Sequence, residues 1–288
     1  MIYTALTYLL CPIFIKLAHS IGVLDYPDGV RKFQAAPVAR LGGVAILFSL
    51  LLPLLSEPIP HPGAILAFVI LLFCATLDDL FSLSPLMKLF MQAFSCVLLV
   101  GSFGLLGNIT FFGISLAALP PTLAFFSELF VALLLINGFN LIDGVDGLCA
   151  TVATFSFTMT FLFLQAPLAL CIAFAALGFL PYNLKSRMYL GEIGTSLFGS
   201  FGVYFILSSS ATAGAFRLEL LFLFALPVLE VLTSFLRRLF LLKNPFSADK
   251  MHLHHVILSL GASKHTVNLI ALFLSLLSAL PLIYSYLI

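Results

Sequence analysis

Four oxygen-bearing side chains recur every three or four residues in the stretch NGFNLIDGVDGL: Asn137, Asn140, Asp143 and Asp146. In a helix this spacing lines a single face, and amides mixed with carboxylates suit a hard cation and the groups around it. Gly144 and Gly147 interrupt the run and let backbone approach a ligand. A polar seam satisfied between packed helices is the competing explanation. Four such groups in so short a piece of an apolar chain favour chemistry.

Four other stretches carry reactive types. In LDDLFSLSPLMK, Asp78 and Asp79 close an apolar run; adjacent carboxylates repel and so suit a general base or a cation-facing pair, with Lys88 following. GEIGTS places Glu192 between Gly191 and Gly194, a pattern for phosphate, for a carboxylate-bound cation or for a plain helix cap. The stretch RRLFLLKNPFSADKMHLHH combines Arg237, Arg238, Asp249 and Lys250 with His252, His254 and His255. Its H-x-H-H spacing lacks the i, i+4 pairing of a helical zinc site, so contact with a polyanion ranks above zinc. In the stretch LDYPDGVRKFQAAPVARLGG, Arg31 and Lys32 offer adjacent cations, which a basic topology-setting loop also explains. Acids that would hold Mg²⁺, beside bases that would hold phosphate oxygens, describe phosphoryl transfer.

These stretches need elements to carry them, and composition says which. Of 288 residues, 62% are hydrophobic and 9% charged, against about 25% charged in soluble domains. Lipid must cover the excess. Apolar segments near 2–19, 41–57, 62–78, 86–106, 120–138, 147–165, 167–184, 193–210, 217–239 and 266–287 predict an all-α polytopic bundle of about ten transmembrane helices. It reads as a single membrane domain over 1–288, without repeat or soluble appendage.

With the N-terminus outside, Lys16, Arg31, Lys32, Arg40, Lys88, Lys185, Arg187, Arg237, Arg238, Lys243, Lys250 and Lys264 gather inside, and only Arg217 lies outside. Both termini then face outward, and all five reactive stretches share the inner side. Between 106 and 120, alternating apolar residues about Gly113 predict a short outer β-hairpin. The N-terminal segment lacks a basic region and a cleavage site, so it reads as a retained helix. The five cysteines are spaced like buried hydrophobes. A net charge of +1 makes no case for nucleic acid. A cation-coupled transporter is the rival of another class, but its acids would sit near the midplane in paired repeats.

The residues resemble the polyprenyl-phosphate N-acetylhexosamine-1-phosphate transferases (glycosyltransferase family 4) along nearly the whole chain. NLIDGVDGL carries the resemblance most specifically, DDLFSLSPLMK and PFSADKMHLHH strongly, RKFQAAPVARLGG more loosely. The histidine form is closer to the N-acetylglucosamine branch than to the peptidoglycan translocase, which is the alternative within the family. The resemblance implies transfer of a sugar 1-phosphate from a UDP-sugar to undecaprenyl phosphate, releasing UMP, with Mg²⁺ (or Mn²⁺) at the cytoplasmic face of the inner membrane. It also leaves a homodimer open. By motif, Asp78 is the base with Asp79 beside it, and Lys88 touches phosphates. Asn140 and Glu192 hold the metal, while Asp143 and Asp146 shape the nucleotide site with Asn137. Tyr189 stacks on uracil, His252, His254 and His255 reach the diphosphate or sugar, and Arg31, Lys32, Arg237 and Arg238 bind substrate. Three positions depart from the family pattern: Glu192 and Glu230 stand where Asp is usual, and Gln34 where His is.

Overall fold

The computed structural model describes residues 1–27, 36–56, 59–242 and 251–287. Among them are eleven α-helices: α1 (Ile2–Ile21), α2 (Gly42–Ser56), α3 (Pro62–Phe81), α4 (Pro85–Gly101), α5 (Pro121–Ile142), α6 (Leu148–Leu164), α7 (Pro167–Leu184), α8 (Gly191–Ala213), α9 (Ala225–Phe240), α10 (Leu253–Ser259) and α11 (Lys264–Leu287). A 3-10 segment, Leu218–Phe224, leads into α9.

Ten of these coincide with the ten apolar segments. Seven are long and apolar enough to cross a membrane: α1, α3, α5, α7, α8, the 3-10 segment continued by α9, and α11. The other three, α2, α4 and α6, have 15, 17 and 17 residues. At about 1.5 Å per residue they reach roughly 22–26 Å, short of a ~30 Å hydrocarbon core. The eleventh, α10, is a short helix carrying the histidines.

Local sequence explains the boundaries. Proline opens α3, α4, α5 and α7, where its missing N–H costs nothing. Ser84 caps α4 by accepting the Met87 N–H at 3.3 Å. Two edges differ from the sequence expectation. Helix α4 stops at Gly101, before the hairpin strands begin, and α8 starts at Gly191, which puts Glu192 in its first turn.

Helix α8 is the axis of the bundle: 83% of its span is buried, against 22% for α1. Its small residues permit this. A Cβ on Gly43 of α2 would lie 2.1 Å from the Gly194 nitrogen, so the two backbones touch directly. Nearer its middle, Phe198 packs with Phe139 of α5 and Phe157 of α6, and both of these meet Phe224.

Among the described residues, strands lie between helices. Short strands β1 (Leu24–Asp25) and β2 (Val38–Ala39) pair after α1. The Tyr189 N–H then donates to the Ala39 carbonyl at 2.8 Å, and Gly42 and Gly43 donate to Tyr189 and Leu190. These bonds tie β2 and the start of α2 to the start of α8. At the opposite end, β3 (Asn108–Phe111) and β4 (Ile114–Ala118) form the expected hairpin, turning at Phe112–Gly113 with both φ positive. Strand β5 (Phe216–Arg217) adds to β3 in parallel.

Candidate active site

Helix alternation brings the C-termini of α3, α5, α7 and α9 to the same end as the N-termini of α2, α4, α6, α8 and α11. Four of the five reactive stretches meet there in described residues. Arg31 and Lys32, with Gln34, Lys243, Asp249 and Lys250, lie outside the described residues.

The centre is the first turn of α8. Asp79, from the last turn of α3, accepts the Glu192 N–H on Oδ1 at 3.0 Å and the Ile193 N–H on Oδ2 at 3.2 Å. It thus caps α8 from another helix, answering two of the amides that a helix start leaves open. Arg40 Nη2 closes the same carboxylate at 2.9 Å. Gly191 makes this approach feasible: its φ is +73°, and a Cβ there would lie 2.9 Å from Asp79 Oδ2.

Glu192 itself is buried. Its Oε2 receives Lys88 Nζ at 2.6 Å and the Asn140 amide. Its Oε1 is buried without a hydrogen-bond partner. Asp78 accepts the Leu83 N–H on Oδ1 at 2.8 Å, and its Oδ2 stands 3.8 Å from Lys88 Nζ. Asn137, a turn deeper in α5, donates to Gln92 at 3.1 Å and to the Leu133 carbonyl.

The expectation that Asn137 through Asp146 share a helix face holds only as far as Asn140. Helix α5 ends at Ile142, Asp143 is its C-cap, and Asp146 sits in the following turn. The carboxyl of Asp143 is held well above the ordinary carboxylate range, first by withdrawal from water, then by the negative charges of Glu192, Asp79 and Asp146. Asp146 turns instead toward Lys264 of α11 and the Ser186 hydroxyl. Asn268 holds its carbonyl at 3.0 Å. Tyr189 is half-buried nearby, its phenol pushed up to about 12 by burial and then by Asp146, Asp25 and Asp143, so it stays neutral.

The histidines come in from the other flank. Glu230 Oε1 meets His252 Nδ1 at 2.8 Å, and Arg237 Nη1 donates to the Met251 carbonyl at 2.7 Å. Arg238 is buried on the same helix. The His254 ring lies parallel to that of His252, 5.6 Å away, and 4.3 Å from that of His255. Burial, then the neighbouring His255, lowers the His254 pKa to about 4, so the ring is neutral. Its Nε2 presses on Gly144, where a Cβ would lie only 2.5 Å away. The histidine segment therefore abuts the Asp143 turn.

Would this set of residues accept a metal ion? An orphaned carboxylate oxygen at Glu192, amid acids that burden one another, fits a hard cation. An amide's oxygen and nitrogen exchange by a flip, so Asn140 can turn its carbonyl to the same ion. Two protein donors are few, which suits Mg²⁺ completed by phosphate and water. Among the described residues, no three His, Cys, Asp or Glu side chains are grouped to hold a metal ion by themselves, at the acids or at the histidines.

Arg40, Thr195 and Lys264 were not among the sequence-level site candidates, yet each touches one of them. Arg40 and Lys264 counted there only as topology-setting cations. Thr195 Oγ1 lies 3.5 Å from the Asn140 amide, and only its place in GEIGTS, three residues after Glu192, pointed to it.

Fold and site together define a polytopic membrane protein with an acid–amide–lysine centre at one end of its bundle. Residues 61–210 match the profile of glycosyl transferase family 4. The chain is 33% identical to an undecaprenyl-phosphate alpha-N-acetylglucosaminyl 1-phosphate transferase of Thermotoga maritima, over 87% of this chain and 78% of that protein. To the enzyme of that name from Escherichia coli K12 it is 29% identical, over 94% and 79%. A decaprenyl-phosphate N-acetylglucosaminephosphotransferase of Mycobacterium tuberculosis H37Rv is 26% identical, over 88% and 73%. The chain belongs to glycosyl transferase family 4.

Proposed function

We propose that the protein transfers N-acetylglucosamine 1-phosphate from UDP-N-acetylglucosamine to undecaprenyl phosphate, releasing UMP, at the cytoplasmic face of the inner membrane. This would be the first membrane step of a cell-envelope polysaccharide pathway. The names of the relatives support the acceptor and the transferred group. The observation that carries the reading is the open, buried Oε1 of Glu192 beside Lys88 and Asn140.

In this reaction an oxygen of the lipid phosphate bonds to the β-phosphorus of the donor. The bond from that phosphorus to the bridging oxygen breaks, and UMP carries away the electron pair. Mg²⁺, or Mn²⁺ in its place, would be held by Glu192 and Asn140 and would supply Lewis-acid neutralisation of the donor diphosphate. Lys88, placed between Asp78 and Glu192, adds a mobile cation for phosphate oxygens. Asp78 orients the acceptor phosphate and takes its proton when one is present. Asp79 and Arg40 hold the α8 start, and with it Glu192, in place. Tyr189 offers a neutral ring to the uracil. The histidines, with Arg237, Arg238, Arg31 and Lys32, serve the diphosphate and sugar.

The test is purified protein with undecaprenyl phosphate, Mg²⁺ and a panel of labelled UDP-sugars. UMP release with label reaching the lipid only from UDP-N-acetylglucosamine is the expected result. Label from the UDP-linked muramoyl pentapeptide alone would make the protein a peptidoglycan translocase. Absence of UMP release with every donor would overturn the assignment.

A further inference from the structure

Glu230 takes no part in the steps above, yet one of its carboxylate oxygens takes two hydrogen bonds. Buried in α9, it accepts from His252 Nδ1 at 2.8 Å and from the Leu253 N–H at 3.1 Å, both on Oε1. An ionised carboxylate can only accept, so the proton of this bond belongs to Nδ1. The Ser234 hydroxyl, 3.2 Å from the same nitrogen, sits beside that bond. Leu253 opens α10, so the single oxygen both orients the ring and caps the helix that bears the next two histidines. From His252 the order passes to the parallel ring of His254, and from His254 Nε2 to Gly144, next to Asp143.

We propose that Glu230 is a positioning residue: it fixes His252 in its Nδ1-protonated tautomer and seats the His252–His254 stack against the Asp143–Gly144 turn. The tautomer claim stands on geometry alone, and the kinetic consequence rests on the transferase reading. Which ring nitrogen is protonated follows from the bond that one of them makes, and a hydrogen bond to a charged group is worth about 10–100-fold.

Nitrogen-15 spectra of histidine-labelled protein in detergent, with His252 assigned by subtracting a His252→Gln spectrum, read the tautomer directly. Wild type should show a protonated Nδ1 at His252, Glu230→Ala should lose it, and Glu230→Asp should keep it in part. In the transfer assay, Glu230→Ala should lower kcat about 30-fold with KM for the donor little changed, and Glu230→Asp should recover most of that loss. An unchanged His252 tautomer in Glu230→Ala overturns the proposal, as does a loss of rate that Asp does not relieve. Should Glu230→Ala fail to fold, the Glu230→Asp spectrum decides: retention of protonated Nδ1 supports the proposal, and its disappearance overturns it. The spectra require no turnover, so an inactive wild type would discredit the transferase reading and leave this one standing.

Discussion

At the hairpin end, Glu219 gives one oxygen to Arg217 Nε at 2.9 Å and the other to the Phe112 N–H at 3.2 Å. At the opposite end, Glu192 engages Lys88 and Asn140 with one oxygen and leaves the other unmatched. Both acids are buried. The first is a closed structural pair that fastens the 3-10 segment to the small sheet. Glu128 is intermediate: Oε1 accepts the Leu106 N–H at 2.7 Å and Oε2 has no partner. Yet no charged side chain among the described residues acts on it, whereas Asp143 bears the field of three other acids. A buried, half-satisfied carboxylate therefore does not define a site. Several of them, drawn together with a lysine and an amide, do.

The largest test of that contrast substitutes acids at both ends. Glu192→Gln and Asp143→Asn should each reduce transfer by about 10³-fold or more, the first by removing the carboxylate that would hold the cation and the second by removing a carboxyl from the nucleotide site. Glu128→Gln should keep transfer within about threefold, its effect confined to stability. Equal losses at the two ends, measured by UMP release from protein that still inserts, would erase the distinction.

A second test separates touching substrate from holding the site. Asp79→Asn leaves the side chain's volume but replaces one acceptor oxygen with a donor facing α8 amides. It should abolish detectable transfer and lower the thermal midpoint in detergent. Arg40→Met, which removes only the outer partner of Asp79, should cost about 10-fold in rate. If Asp79→Asn left the midpoint unchanged while removing activity, capping would be the wrong account of Asp79 and direct contact with a ligand the better one.

Much of this was legible in the sequence because a bilayer imposes a coarse rule. Ten apolar segments, the basic residues between them and the hairpin about Gly113 all follow from length, charge and alternation. Asn140 and Glu192, fifty-two positions apart and in contact in the fold, are joined in the sequence only through the family resemblance. Three-dimensional answers to open backbone groups were not legible. Asp79 as the cap of α8 depends on how α3 packs on α8, and no spacing within LDDLF encodes it. The regular run from Asn137 to Asp146 promised one face, but left-handed Gly147 and the end of α5 at Ile142 divide it. Asp146 then finds Lys264, more than a hundred residues away.

The smallest expected effect concerns pH and the histidine flank. His254 is neutral in the fold, with a pKa near 4 against 6.5 in an open chain. Above pH 6.5 neither state binds a proton there. As pH falls below 6.5, the unfolded chain takes one up and the folded chain does not, so stability declines until about pH 4 and then levels. Between pH 7 and 5 this amounts to at most about 2 kcal/mol. His254→Gln, unable to titrate, should show a shallower fall of the thermal midpoint over that interval than wild type. At the hairpin end, His61 packs on the Phe103 ring, far from the histidine flank; His61→Gln should leave the wild-type slope intact. If His61→Gln flattened the slope as much as His254→Gln, the acid sensitivity would not belong to the site flank, and the contrast between the two ends would fail on this point.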